Sequence, residues 1–143
     1  MTWSILVRDP ATGALGAAVA SRFFAVGAIC IHVEGGVAAL ATQALVNPMY
    51  AVAAMPRLRS GETPQDVLTD LVGADPGAGQ RQFHVLGANG DIAQHTGQGC
   101  VAWAGHVPDT TCRWQATCWQ ARKPWNVRLM RILPRTALLP NAC

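Results

Sequence analysis

Thr2-Trp3-Ser4-Ile5-Leu6-Val7, residues 2–7, places a small hydroxyl residue at the head of an apolar strand. A small residue behind the initiator methionine allows Met1 to be removed. Thr2 would then carry a hydroxyl and a free α-amine on one residue. An α-amine has an unperturbed pKa of about 7.7–8.0, so it can take a proton near neutrality where a lysine cannot. A hydroxyl with an adjacent amine base is one of the ways acyl transfer is activated. Many chains begin Met-Thr without using it, so the placement needs support from the rest of the molecule.

Working outward, Ile5 to Arg8 and Ala14 to Ala20 are expected to pair through the turn Asp9-Pro10-Ala11-Thr12-Gly13. Ile29 to Glu34 and Val37 to Ala44 form a second expected pair around Gly35-Gly36. Asn47-Pro48 predicts a helix to about Arg59, ended by Ser60-Gly61, because proline is tolerated in a first turn. Thr63-Pro64-Gln65-Asp66 starts another, with Val67, Leu68, Leu71 and Val72 on its buried face. Beyond the loop Asp75-Pro76-Gly77, Gln82 to Leu86 and Ile92 to His95 read as a hairpin around Ala88-Asn89-Gly90-Asp91. Gly99 to Ala104 reads as a further strand. Strands, two helices and strands again predict an α+β layered sandwich.

The 143 residues suit one domain, and 50% hydrophobic content suffices for a core. Glycine, proline or charge interrupts every apolar run before it reaches spanning length, so no membrane segment is expected. No basic stretch followed by an apolar one opens the chain. Five cysteines, an odd number with no Cys-x-x-Cys pair, argue against a disulfide framework and for a cytoplasmic setting. The formal net charge of +3 averages two unlike parts. Through Thr110 there are five basic and eight acidic residues, a net of −3. From Thr111 onward there are six basic residues and no acid, a net of +6.

That division predicts a body over 1–110 and an anomalous tail over 111–143. The tail lacks glycine and holds Trp114, Trp119 and Trp125 with Cys112, Cys118 and Cys143. Pro124, Pro134 and Pro140 break any periodicity. One reading is a basic, aromatic arm for nucleic acid or membrane. The alternative is out-of-frame translation. Moving the frame back one nucleotide from Cys112 allows the stretch through Asn126 to be respelled Pro-Val-Ala-Gly-Asn-Met-Leu-Ala-Gly-Pro-Glu-Thr-Val-Glu. That spelling restores glycines, acids and a proline-led amphipathic helix. The frame-error reading is preferred, and the nucleotide sequence tests it.

Along Thr2-Trp3-Ser4-Ile5, Val19-Ala20-Ser21-Arg22-Phe23, Ala41-Thr42-Gln43-Ala44-Leu45-Val46-Asn47-Pro48, His95-Thr96-Gly97 and Trp103-Ala104-Gly105-His106, the body resembles an uncharacterised bacterial and archaeal family. That resemblance covers residues 2 to about 106. It implies an Ntn-hydrolase-like layered αββα sandwich, incomplete at the C-terminus, since family members usually continue well beyond this length. Some members carry a peptidoglycan-binding domain. The respelled Gly-Asn-Met-Leu-Ala-Gly is similar to the segment that the family places next. Ala18-Val19-Ala20-Ser21-Arg22 is also similar to a proteasomal Val-Asp-Ser-Arg stretch, with two departures. Ala20 stands where the aspartate would be, and the single lysine of the chain, Lys123, lies in the tail.

These features imply an N-terminal-nucleophile hydrolase of a small amide. Thr2 would attack, Ser21 would orient it, and Arg22 or His32 would supply the cation a proteasomal lysine provides. The strand-to-helix turn from Thr42 to Asn47, with the Gln43 amide, would offer N–H groups to the oxyanion. Capping and strand-end bonds explain Thr42 and Gln43 equally well, and an arginine laid over Phe23-Phe24 explains Arg22. His95 joins the set only through its family motif. His32 and Glu34, two apart on a strand beside Cys30, share a face but lack a third metal ligand. Cys30 and Cys100 are expected as buried thiols in strands. Neither glycine cluster, Gly13-Ala14-Leu15-Gly16 nor Gly97-Gln98-Gly99, has a nucleotide-binding context. No metal or cofactor is implied, and the expected partner is a small-molecule substrate rather than nucleic acid or membrane, with a homo-oligomer allowed. The competing reading is a non-catalytic protein that binds a small ligand or cell-wall fragment, or an inactive truncated member.

Overall fold

The computed structural model describes residues 2–101, 104, 106–108 and 115–117. Other tail positions, and with them the frame-error reading, lie outside the described residues. The architecture is α+β, with two antiparallel four-stranded sheets and three α-helices among the described residues. The first sheet runs in the order β2 (Leu15–Ser21), β1 (Thr2–Arg8), β8 (Gln115–Thr117), β7 (His106–Pro108). The second runs β3 (Ile31–Glu34), β4 (Ala38–Ala44), β5 (Arg81–Gly87), β6 (Ile92–Thr96). No helix among the described residues is long and apolar enough to cross a membrane.

The opening hairpin follows the sequence reading. Its register pairs Thr2 with Ser21 and Arg8 with Leu15. Asp9 holds the turn with its carboxylate, accepting from the Ala11 N–H at 2.9 Å and the Thr12 hydroxyl at 2.6 Å. Period-two alternation then puts Thr2, Ser4, Leu6 and Arg8 on one face of the sheet. Leu6, Leu15 and Ala17 pack there against Ala39, Ala41 and Leu86 of the second sheet, so this face is the inside of the sandwich.

The opposite face of the second sheet carries the larger core. Helices α2 (Met49–Arg59) and α3 (Pro64–Gly73) lay Tyr50, Ala54, Leu58, Val67 and Leu68 over Leu40, Phe83 and Val85. Thr63 caps α3, its hydroxyl accepting from the Asp66 N–H, as the Thr-Pro-x-Asp pattern predicts. Two hairpin turns need left-handed backbone and use glycine for it, Gly36 at φ 74° and Gly90 at φ 93°.

Two expected strands differ. Ile29 and Cys30 belong to the short helix α1 (Val26–Cys30), not to β3. Ala25, left-handed at φ 52°, turns the chain into that helix, and its carbonyl accepts from the Ala28 N–H. Gly99 to Val101, with Ala104, form no strand. The Gly97 N–H donates to the Arg81 carbonyl and the Gly99 N–H to the Gly79 carbonyl, while Cys100 N–H folds back on the Gly97 carbonyl. Those bonds commit the backbone to a turn against the 3-10 segment Ala78–Gln80. A Cβ on Gly97 would lie 2.3 Å from the Gly79 backbone, so the family motif His95-Thr96-Gly97 is explained by packing.

Phe83→Ala is expected to destabilise the fold by about 3–5 kcal/mol, from lost burial and the cavity left behind. Gly97→Ala should also destabilise, because no side chain can move to relieve a backbone clash. Urea unfolding midpoints check both.

Candidate functional site around Thr2

Thr2 begins β1 and lines a cavity of about 90 Å³. Gln43 supplies a second polar group to its wall. The rest is apolar: Phe23, Val26, Ile29, Cys30, Ala44 and Val46. The Thr2 and Ser21 hydroxyl oxygens stand 3.0 Å apart, a direct result of the β1–β2 register. Ser21 Oγ also accepts from the Phe23 N–H at 3.1 Å, so the same side chain orients Thr2 and fixes the strand exit.

Behind Thr2 runs a file of hydrogen bonds buried between the sheets. Ser4 Oγ donates its one hydrogen to Gln43 Oε1 at 2.8 Å. Ser4 Oγ also stands 3.1 Å from His84 Nε2, and with its own hydrogen committed it accepts, making His84 the donor. Gln43 Nε2 donates to Gln82 Oε1 at 3.2 Å, and Gln82 Nε2 donates to Thr96 Oγ1 at 3.0 Å. Every bond in the series from His84 to Thr96 points the same way. Ser4, Gln43, Gln82 and His84 are at most 2% exposed, so each unmade bond here would be costly.

The cavity's second wall is backbone under strain. Ala44 has φ 67°, and with Ala25 it is one of two non-glycine residues in left-handed conformation among the described residues. Both sit beside the cavity, Ala44 in its wall and Ala25 immediately before α1, which supplies Val26, Ile29 and Cys30. Such conformations cost of order 1–3 kcal/mol and persist where surrounding structure holds them. Here the holding group is Arg81. Its Nη1 donates to the Leu45 carbonyl at 2.8 Å and more weakly to the Val46 carbonyl at 3.4 Å. Its Nε donates to Asp75 Oδ2 at 2.5 Å, and both side chains are largely buried. Asp75 also accepts from the Tyr50 hydroxyl at 2.7 Å and the Gly77 N–H at 2.7 Å. The Arg81 guanidinium, then the Tyr50 hydroxyl, hold the Asp75 carboxyl well below the ordinary carboxylate range. Burial, then the Asp75 carboxylate, push the Tyr50 phenol well above its ordinary value.

The structure thus gathers Thr2, Ser21 and Gln43 and separates the other sequence candidates from them. Thr42 points to the helix side, where its hydroxyl accepts from the Asn47 N–H at 3.1 Å, a strand-end cap. The Leu45 N–H is taken by the Gln80 carbonyl at 3.0 Å, so part of the expected run of bare N–H groups is occupied. His32 pairs with Leu40 and therefore faces the helices, on the other side of the sheet from Thr2. Its Nε2 is buried without a hydrogen-bond partner among the described residues. Glu34 shares that face and is held by Arg59 at 2.7 and 2.8 Å, which lowers its pKa. His95 pairs with Phe83 on the same helix-facing side, and its Nε2–H donates to the Ala78 carbonyl at 2.9 Å. Arg22 is exposed, next to the strongly exposed Phe23 and Phe24, and does not line the cavity. Cys30 is buried, while Cys100 is only partly so.

Sequence reading missed Ser4, His84, Gln82, Asp75 and Arg81. Polar residues inside strands were the available signal for the first three. Asp75 and Arg81 lie six residues apart, but their links to Tyr50 and to the Leu45 and Val46 carbonyls span 25 to 36 positions and left no local signal.

Fold and site define an α+β two-sheet protein with a threonine at the start of its first strand beside a small cavity. The chain belongs to the family of unknown function DUF1028, whose model matches residues 2–123. In structure it is similar to protein SPO2555 from Silicibacter pomeroyi, solved by crystallography and assigned to the same family model. The TM-score is 0.76 at 26% identity, with 85% of this chain and 56% of that one covered. This chain therefore spans little more than half the length of that relative. No curated protein matches it.

Ser4→Ala removes the hydroxyl that joins His84 to Gln43 and is expected to cost about 1–3 kcal/mol in chemical unfolding. Asp75→Asn should cost about 1.5–3 kcal/mol at neutral pH, the scale of hydrogen bonds to a charged group. Because the folded-state pKa of Asp75 is lowered, its stabilisation is complete above the unfolded value near 4 and is lost as pH falls through the folded one. The stability gap between wild type and Asp75→Asn should accordingly narrow below about pH 4.

Proposed function

We propose that this protein is an N-terminal-nucleophile amide hydrolase, with Thr2 as nucleophile and an Ntn-hydrolase-like arrangement of its layers. One observation carries the reading: the Thr2 hydroxyl is oriented by Ser21 at the wall of a cavity. In the proposed reaction Met1 is absent and the α-amine of Thr2 is free. Thr2 Oγ attacks the substrate carbonyl carbon while the amine takes the hydroxyl proton. The C–N bond then breaks as the amine returns that proton to the leaving nitrogen. Water, deprotonated by the same amine, attacks the resulting ester and releases the acid. Gln43 is the proposed side-chain partner of the oxyanion, held in place by Ser4 and Gln82.

The helix-covered second sheet and the inward-facing first sheet support the layered assignment, as does the position of Thr2 at a strand start. A second reading, a non-catalytic binder of a small ligand, draws on the fact that no side-chain cation lines the cavity among the described residues. Arg22 stands outside it and His32 faces the helices.

N-terminal mass and a panel of small amides separate the two. Hydrolysis requires loss of Met1, and Thr2→Ala should lower turnover by on the order of 10³-fold or more. Since the amine must be neutral to act as base, kcat/KM should rise with pH through about 8. Retained Met1, or turnover equal in Thr2→Ala, would remove Thr2 from the chemistry and leave the binding reading.

A further inference from the structure

The cavity beside Thr2 is small, and apart from Thr2 and Gln43 its wall is apolar. Among the described residues, no lysine, arginine, aspartate or glutamate lines it. Cys30, at 1% exposure, closes one part of the wall, and α1 supplies Val26 and Ile29. At the pH where the Thr2 amine is neutral and acts as base, a charged group placed inside would find no counter-charge among the described lining residues, and burying it would cost far more than burial of a methylene returns. Apolar lining and the absence of charge therefore select an uncharged, apolar group.

Volume narrows the class. A closed apolar cavity of about 150 Å³ accepts benzene, six carbons in a ring. The space here is about 90 Å³ and partly open, with Phe23 61% exposed at its rim, so it suits a chain of about four carbons without enclosing it. The left-handed Ala44 and the Arg81 bonds to the Leu45 and Val46 carbonyls hold one wall, so widening it means breaking those contacts.

We propose that this cavity receives the acyl side chain of the substrate, and that the substrate class is a small amide whose acyl part is a short, branched aliphatic chain. The proposal rests on the reading of Thr2 as nucleophile, because that residue fixes where the scissile carbonyl must sit. With the carbonyl carbon at Thr2 Oγ, the chain on its acyl side occupies the space between α1 and the Ala44–Val46 turn. The leaving nitrogen then points away from the cavity.

The test uses the whole chain and five primary amides: acetamide, isovaleramide, phenylacetamide, succinamate and 6-aminohexanamide. Binding is followed by NMR titration and hydrolysis by ammonia release. Isovaleramide should bind most tightly, gaining up to about fourfold per added carbon over acetamide, with succinamate and 6-aminohexanamide weakest. Val26→Phe should abolish the advantage of isovaleramide. Val26→Ala, which removes rather than adds bulk, should shift preference toward phenylacetamide. A flat series, a preference for either charged amide, or no binding by any of the five overturns the proposal. Isovaleramide preference without ammonia release, or with release unchanged in Thr2→Ala, keeps the pocket assignment and removes the nucleophile. Thr2-dependent hydrolysis with no preference among acyl chains does the reverse.

Discussion

Ser4 donates its single hydroxyl hydrogen to Gln43 and accepts from His84, and through that hydroxyl the two sheets are locked in register. Apolar contacts alone would allow β1 to slide along the second sheet, because Leu6 meets alanines that differ little from one another. A buried series of directional bonds allows no such sliding. Shifting β1 by one residue would turn Ser4 to the outside and leave His84 and Gln43 facing Ile5 or Trp3. The position of Thr2 follows, since it lies on the same strand and the same face, two residues before Ser4.

A second constraint acts from the helix side. Asp75, near the end of the helical segment, ties Tyr50 of α2 to Arg81 at the start of β5. Arg81 in turn holds the carbonyls of Leu45 and Val46, the turn that walls the cavity. Core packing under α2 and α3 is thereby coupled to the shape of a pocket on the far side of the sheet. Both left-handed alanines border that pocket. At Ala44 the left-handed backbone is sustained by the Arg81 bonds to the next two carbonyls rather than relieved by glycine.

The Thr2 hydroxyl is constrained by more than its place at the head of β1. Ser21 serves Thr2 and the strand exit at once, so the Thr2 rotamer is tied to the backbone path into α1. The residues that shape the apolar cavity come from that same path. Orientation of the Thr2 hydroxyl and about half of the cavity wall are thus set by one short stretch, Ser21 to Cys30. Membership of the DUF1028 family accounts for the shared motifs and assigns none of them a reaction.

Local chemistry was legible in the sequence where neighbours along the chain decide the outcome. The Asp9–Gly13 turn, the Thr63 cap, the glycine-led hairpins and the two longer helices all depend on residues within a few positions. The candidate site was legible only at Thr2, Ser21 and Gln43. Faces were harder to assign. Six consecutive residues from Ala38 to Gln43 are buried, so β4 shows no alternation, and in β1 the polar Ser4 is buried along with its apolar neighbours Ile5 and Leu6. His32, read as a candidate cation for Thr2, and His95, included through its family motif, both face the helices. Sequence determined the elements and the residue that could act, because turns, caps and a strand-leading threonine are short-range facts. Tertiary structure alone decided which side chains meet it, because strand pairing sets faces and joins residues as distant as Ser4 and Thr117, while packing of the two sheets brings Ser4 to His84.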